Sequence, residues 1–105
     1  MNPKTVYVAG PLFDEGERWW IEQIEQTITE IGFNTFLPHR DNPEKTSETV
    51  QTIFENNRDA IRTSDLVVAN LNGITTDDGT AWELGYAAAL QKPVSYTHLT
   101  LPTKA

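Results

Sequence analysis

The segment Asp65-Leu66-Val67-Val68-Ala69-Asn70-Leu71 holds an unbroken apolar run between polar flanks. A strand with one wet face alternates polar and apolar residues. A continuous run means both faces are covered, as in a central strand of a parallel sheet. Thr5-Val6-Tyr7-Val8-Ala9-Gly10 repeats the pattern and stops at Gly10-Pro11. Between the two, Trp20, Ile21, Ile24, Ile28 and Ile31 form one helical stripe, which predicts a helix over 15–31. Asp14, Glu15 and Glu17 favour its start and Gly32 its end. A second strand is expected over 33–37, halted by Pro38, then a loop over 39–43. A second helix is expected over 47–62, with Val50, Ile53, Phe54 and Ile61 on one face and the polar Asn57 among them. An alanine-rich helix over 79–91 follows a polar loop, and Lys92-Pro93-Val94 begins a fourth strand. Strictly alternating strands and helices with right-handed crossovers imply an α/β three-layer sandwich of the flavodoxin-like or Rossmann-like kind. The expected strand order is 2-1-3-4, with the ligand crevice at the switch point between strands 1 and 3.

Composition narrows the partners. Eight Lys plus Arg against fifteen Asp plus Glu give a net charge of −7. That disfavours a nucleic-acid backbone or an anionic membrane, while leaving a neutral nucleoside open. There is no cysteine, hence no disulfide, thiolate nucleophile or Cys-ligated metal. His39 and His98 lack ligand-type spacing, and no metal or cofactor is expected. No apolar run approaches the ~20 residues that span a bilayer. A soluble cytoplasmic protein of one domain is expected.

The chemistry concentrates in Asp77-Asp78-Gly79-Thr80-Ala81-Trp82-Glu83-Leu84-Gly85-Tyr86-Ala87. Carboxylates sit where a strand-loop gives way to a helix, the place where open α/β sheets bind ligands. One carboxylate there can be a nucleophile and another can handle a proton. A plainer account is also available: Thr80 and Glu83 have the spacing of a capping box, which only satisfies helix amides.

Four motifs in order carry a family resemblance. They are Tyr7-Val8-Ala9-Gly10-Pro11-Leu12-Phe13, Phe36-Leu37-Pro38-His39-Arg40-Asp41, Arg58-Asp59 before Ser64-Asp65-Leu66-Val67-Val68-Ala69, and Asp77-x-Gly79-Thr80-Ala81-x-Glu83-Leu84-Gly85-Tyr86-Ala87. Over residues 4 to 94 the chain resembles the nucleoside 2-deoxyribosyltransferases. The resemblance implies double displacement at the anomeric carbon of a 2′-deoxynucleoside, with Glu83 as nucleophile and a covalent deoxyribosyl ester as intermediate. It implies that Asp77 meets the nucleobase and aids its proton transfer, and that Tyr7 positions the nucleophile. Asp59 and Phe13 are implied on the substrate, beside the Gly10 turn. Asp78 carries over no role. The implied partners are 2′-deoxynucleosides and free nucleobases, and the implied assembly is a homo-oligomer. Trp20 is expected in the core, while Trp19 and Trp82 are candidates for contact with a neighbouring subunit.

Residues 95–105 break the pattern, and Ser95 to Lys104 resembles translated sequencing-adaptor sequence. The expectation is a family domain over 1–94, incomplete at its C-terminal side, then a non-native tail with little order from about Ser95. The family's later segment, which reaches a neighbour's site and binds the sugar 5′-hydroxyl, has no counterpart here, so a weak or inactive chain is expected. The alternative activity is hydrolysis of the N-glycosidic bond of a nucleoside 5′-monophosphate. The acidic Asp14, Glu15 and Glu17 after the first strand argue against a phosphate and for a neutral nucleoside. A non-catalytic nucleoside sensor on the same fold is a further alternative.

Overall fold

The computed structural model describes residues 3–12, 14–71 and 78–97. Its elements are β1 (Thr5–Ala9), α1 (Glu15–Ile31), β2 (Asn34–Phe36), α2 (Pro38–Asp41), α3 (Val50–Thr63), β3 (Leu66–Asn70), α4 (Asp78–Ala89) and β4 (Val94–Thr97). The four strands form one sheet in the order β2-β1-β3-β4. Every neighbouring pair is parallel, with Tyr7 opposite Phe36 on one side and Val67 on the other. The expected architecture and strand order are therefore those of the molecule.

The two-sided strands divide their side chains by parity. Val6 and Val8 pack with Ile21, Ile28 and Leu37 under α1. Tyr7, Ala9, Val67 and Ala69 pack with Ile61 of α3 and Ala87 of α4 on the other face. Ile21 and Ile61 are both fully buried, and each such side chain contributes about 1.5–3 kcal/mol. This divided burial explains why β1 and β3 read as continuous apolar runs.

α1 begins and ends where its chemistry places it. The Asp14 carboxylate accepts the Glu17 N–H at 2.7 Å, and the Glu17 carboxylate accepts the Asp14 N–H at 3.2 Å. Gly32 closes the helix at φ 116° and returns its N–H to the last turn. The apolar stripe is narrower than expected. Ile31 is 69% exposed, and Trp20 flanks the core, stacked on Trp19 at 6.1 Å.

Three local expectations change. The segment expected as a loop after Pro38 forms the single helical turn α2. Pro38 occupies its first turn, and the Asp41 carboxylate accepts the Leu37 N–H at 2.8 Å. α3 starts at Val50, later than the predicted Ser47. Thr46 and Thr49 bond each other and the local backbone, with the Thr49 hydroxyl donating to the Glu44 carbonyl at 2.6 Å. Such local bonding by threonine competes with helix and holds a turn instead. The sheet also does not stop at Val94, because Ser95, Tyr96 and Thr97 continue β4 opposite Val68, Ala69 and Asn70. The Val-Ser-Tyr-Thr run is β-prone enough to pair along the edge of β3. Residues 98–105 lie outside the described residues.

Candidate active site

The Glu83 carboxylate meets the hydroxyl of Tyr7. Tyr7 is fully buried on β1, its ring stacked on Phe36 with centroids 5.5 Å apart. Its hydroxyl donates to Glu83 Oε2 at 2.6 Å. Burial first, and then the neighbouring Glu83 charge, push the phenol far above its ordinary range. Tyr7 therefore keeps its proton and acts as a fixed donor to a carboxylate, a strong class of hydrogen bond. Thr80 is the third residue of α4 and is buried. A capping threonine precedes the first helical residue, a position Thr80 does not occupy.

Glu83 lines a cleft of about 720 Å³ at the carboxyl end of the strands. Its walls come from Gly10 and Leu12 after β1, His39 and Asn42 around α2, Asn57 of α3, and Thr80 of α4. This is the switch point between β1 and β3, where the sheet reverses its winding. Gly10 permits the close approach there. A Cβ on it would lie 2.7 Å from Ile21 Cδ1 and 2.9 Å from Asn70 Cβ.

The charges around the cleft differ from the sequence expectation. Asp14 and Glu17 are tied up at the start of α1. Among the described residues, the cleft is lined instead by Arg18, Lys45, Glu44 and Glu83 as charged side chains. Arg18 donates to the Leu12 carbonyl at 2.9 Å and so also holds the segment after β1. His39 Nε2 lies 2.9 Å from Glu22 Oε2 on α1, which ties the α2 corner to that helix. The acidic surroundings invoked against a phosphate are thus not those of the cleft wall.

Of the sequence-predicted residues, the structure brings together Tyr7, Gly10 and Glu83. Phe13 and Asp77 lie outside the described residues. Asp59 is placed elsewhere. It pairs with Arg58 at 3.2 Å and Arg62 at 3.5 Å, in a separate depression with Thr5 and Ser64 at the opposite ends of the strands. The Arg58 hydrogen bond holds its carboxyl below the usual range. Asn57, two residues earlier, faces the cleft instead, since two residues turn a helix by about 200°. Its sequence signal was a polar residue on the apolar face of α3. Asn42 was missed because it fell in a stretch expected to be loop.

The model of the nucleoside 2-deoxyribosyltransferase family matches residues 6–100, and the chain belongs to that family. No curated protein matches it in sequence. Among solved structures, a 2-deoxyribosyltransferase from Bacillus psychrosaccharolyticus is 28% identical with a TM-score of 0.85, over 96% of this chain and 77% of that one. A 2-deoxyribosyltransferase from Leishmania mexicana is 30% identical with a TM-score of 0.76, over 93% of this chain and 66% of that one. A CMP N-glycosidase from Clostridium botulinum shares the fold at 22% identity and a TM-score of 0.70, over 97% of this chain and 74% of that one. Among the described residues, no helix is long and apolar enough to cross a membrane.

Proposed function

We propose that this chain carries the catalytic half-site of an enzyme that moves a 2-deoxyribosyl group between nucleobases through an ester on Glu83. The observation that carries it is the 2.6 Å bond from the buried Tyr7 hydroxyl to a Glu83 carboxylate that lines the cleft. The Glu83 oxygen forms a bond to C1′ as the C1′–N bond breaks. The electron pair goes to the base nitrogen, which takes up a proton, and Asp77 is the candidate donor. In the second half the acceptor base nitrogen attacks C1′ and passes its proton back to the Asp77 carboxylate, the ester C–O bond breaks, and the Glu83 carboxylate is regenerated. Splitting one hard substitution into two is the advantage of a covalent route. Tyr7 holds the carboxylate in one geometry and donates to it, which helps it leave in the second half.

Water in place of the acceptor base gives the hydrolytic reading. Arg18 and Lys45 on the cleft wall favour keeping a nucleoside 5′-monophosphate as a possible donor. The two readings separate by assaying deoxyinosine and its 5′-monophosphate with and without acceptor base.

The test of Glu83 is Glu83→Gln, made both in this chain and in a version extended to the length of its relatives. Exchange should fall on the order of 10³-fold, as when a covalent catalyst is lost. Intact mass spectrometry should show a deoxyribosyl adduct on the parent protein and none on the variant. Retention of more than about a tenth of the rate would remove Glu83 as nucleophile.

A further inference from the structure

A relay of amides on the cleft wall fixes what Asn57 offers to a bound base. The Pro38 carbonyl can only accept. It lies 2.9 Å from one terminal atom of the Asn42 side chain, so that atom is Nδ2. The same Nδ2 lies 2.7 Å from a terminal atom of Asn57, which must accept and is therefore Oδ1. Asn42 Oδ1 in turn accepts from Asn56 Nδ2 at 3.0 Å. Flipping Asn42 would set two acceptors face to face at Pro38, and flipping Asn57 alone would set two donors face to face. With Oδ1 committed, Asn57 keeps two amide hydrogens that have no partner among the described residues. It sits on the wall of the same cleft as Glu83.

We propose that Asn57 is a specificity-determining residue, a fixed hydrogen-bond donor that selects oxo bases over amino bases, with Asn42 as its positioning residue. This rests on the reading that a nucleobase occupies the cleft. Hypoxanthine, guanine, uracil and thymine present a carbonyl oxygen at the 6- or 4-position. Adenine and cytosine present an exocyclic amino group there. An amino group facing the Asn57 amide leaves donors opposed and unpaired in a partly dry site, and such a mismatch discriminates more strongly than a change in apolar contact. The backbone carbonyl of Pro38, which accepts from Asn42 Nδ2, makes the choice independent of substrate, because the amide is oriented before any base arrives.

The experiment is isothermal titration of the 105-residue chain with deoxyinosine against deoxyadenosine, and with deoxyuridine against deoxycytidine. The unaltered chain should bind the oxo member of each pair at least about tenfold tighter. Asn57→Asp should reverse the order, since an ionised carboxylate only accepts. Asn42→Ala frees the Asn57 amide to rotate and should bring the ratio to within about threefold, while deoxyinosine still binds. If Asn57→Asp does not melt cooperatively, Asn57→Ala replaces it, and the ratio should fall close to one. An oxo preference that survives Asn57→Asp or Asn57→Ala overturns the assignment, as does no preference, or no binding, in the unaltered chain. Oxo-selective binding without base exchange in the extended protein would sink the transferase reading and keep Asn57. Exchange without oxo preference would do the reverse.

Discussion

Replacing Tyr7 by Phe tests whether the Tyr7–Glu83 contact is a proton-bearing hydrogen bond inside the core. The ring is fully buried and stacked on Phe36, so Phe keeps the packing and removes only the hydroxyl. At neutral pH the lost bond to a carboxylate is offset in part because Phe is cheaper to bury, and the net cost should be about 1–2 kcal/mol. The alkaline limb is more diagnostic. Tyr7 titrates well above its ordinary value in the folded protein because of burial and then the Glu83 charge, and near 10 when unfolded. Its contribution is fully present below pH 10 and is lost as pH rises above 10 toward the folded value. Unfolding then releases a proton, and the loss is about 1.4 kcal/mol at pH 11. Urea melts of both proteins at pH 8, 10 and 11 read this out. The parent should lose about 1.4 kcal/mol more than Tyr7→Phe between pH 8 and 11, with other tyrosines cancelling in the comparison. Equal losses would mean that the phenol titrates normally and that the contact to Glu83 is not the one described.

Gly10→Ala should destabilise the chain by roughly 2 kcal/mol or more, because the new Cβ meets Asn70 Cβ at 2.9 Å and Ile21 Cδ1 at 2.7 Å; a melt within ~0.5 kcal/mol of the parent would refute that close approach. Asp59→Asn should leave base exchange within about threefold, since Asp59 is paired with Arg58 and Arg62 away from the cleft; a loss of ten times or more would place it on the substrate. The Asp41 carboxyl is held below the usual range mainly by the Arg40 guanidinium. Its stabilisation is therefore present above about pH 4 and lost as pH falls through the folded value. Acid titration of stability should accordingly be shallower in Asp41→Asn, and an unchanged acid limb would count against the Arg40 pairing.

The fold was legible because β1 and β3 carry their apolar residues without a break, and that pattern has few solutions besides a sheet covered on both faces. The boundaries of α1 were legible for a different reason, since Asp14, Glu17 and Gly32 make their own local contacts and need no tertiary help. α2 and the start of α3 were not, because Asp41 reaching back to Leu37 and Thr49 reaching back to Glu44 are side-chain choices that leave no periodicity. In the site, Glu83 and Tyr7 came from motif resemblance, and the structure adds the distance between them. Asp59 came from the same source, but placing it requires the helical phase of α3, and that phase turns Asn57 to the cleft and Asp59 away. The acids after β1 misled for a similar reason: sequence proximity to the cleft is not orientation into it, and Asp14 and Glu17 spend their carboxylates on capping.

The geometry ties the Glu83 carboxylate to the core. Glu83 stands on α4, yet its carboxylate is held by a side chain that belongs to β1 and to the packing under α3 and α4. A residue in a close-packed interior has few alternative positions, so the donor end of the Tyr7 ring inherits its precision from Phe36, Val67 and Ala87. The wall that carries Asn57 is built differently, from polar amides anchored on a backbone carbonyl at the α2 corner. These contacts thus hold the Glu83 carboxylate from the core and the Asn57 amide from the α2 corner, on the wall of one cleft. On the proposed reading, changes to the Asn42–Asn57 relay alter which base is chosen, whereas changes to the Tyr7 slot act on catalysis and stability together.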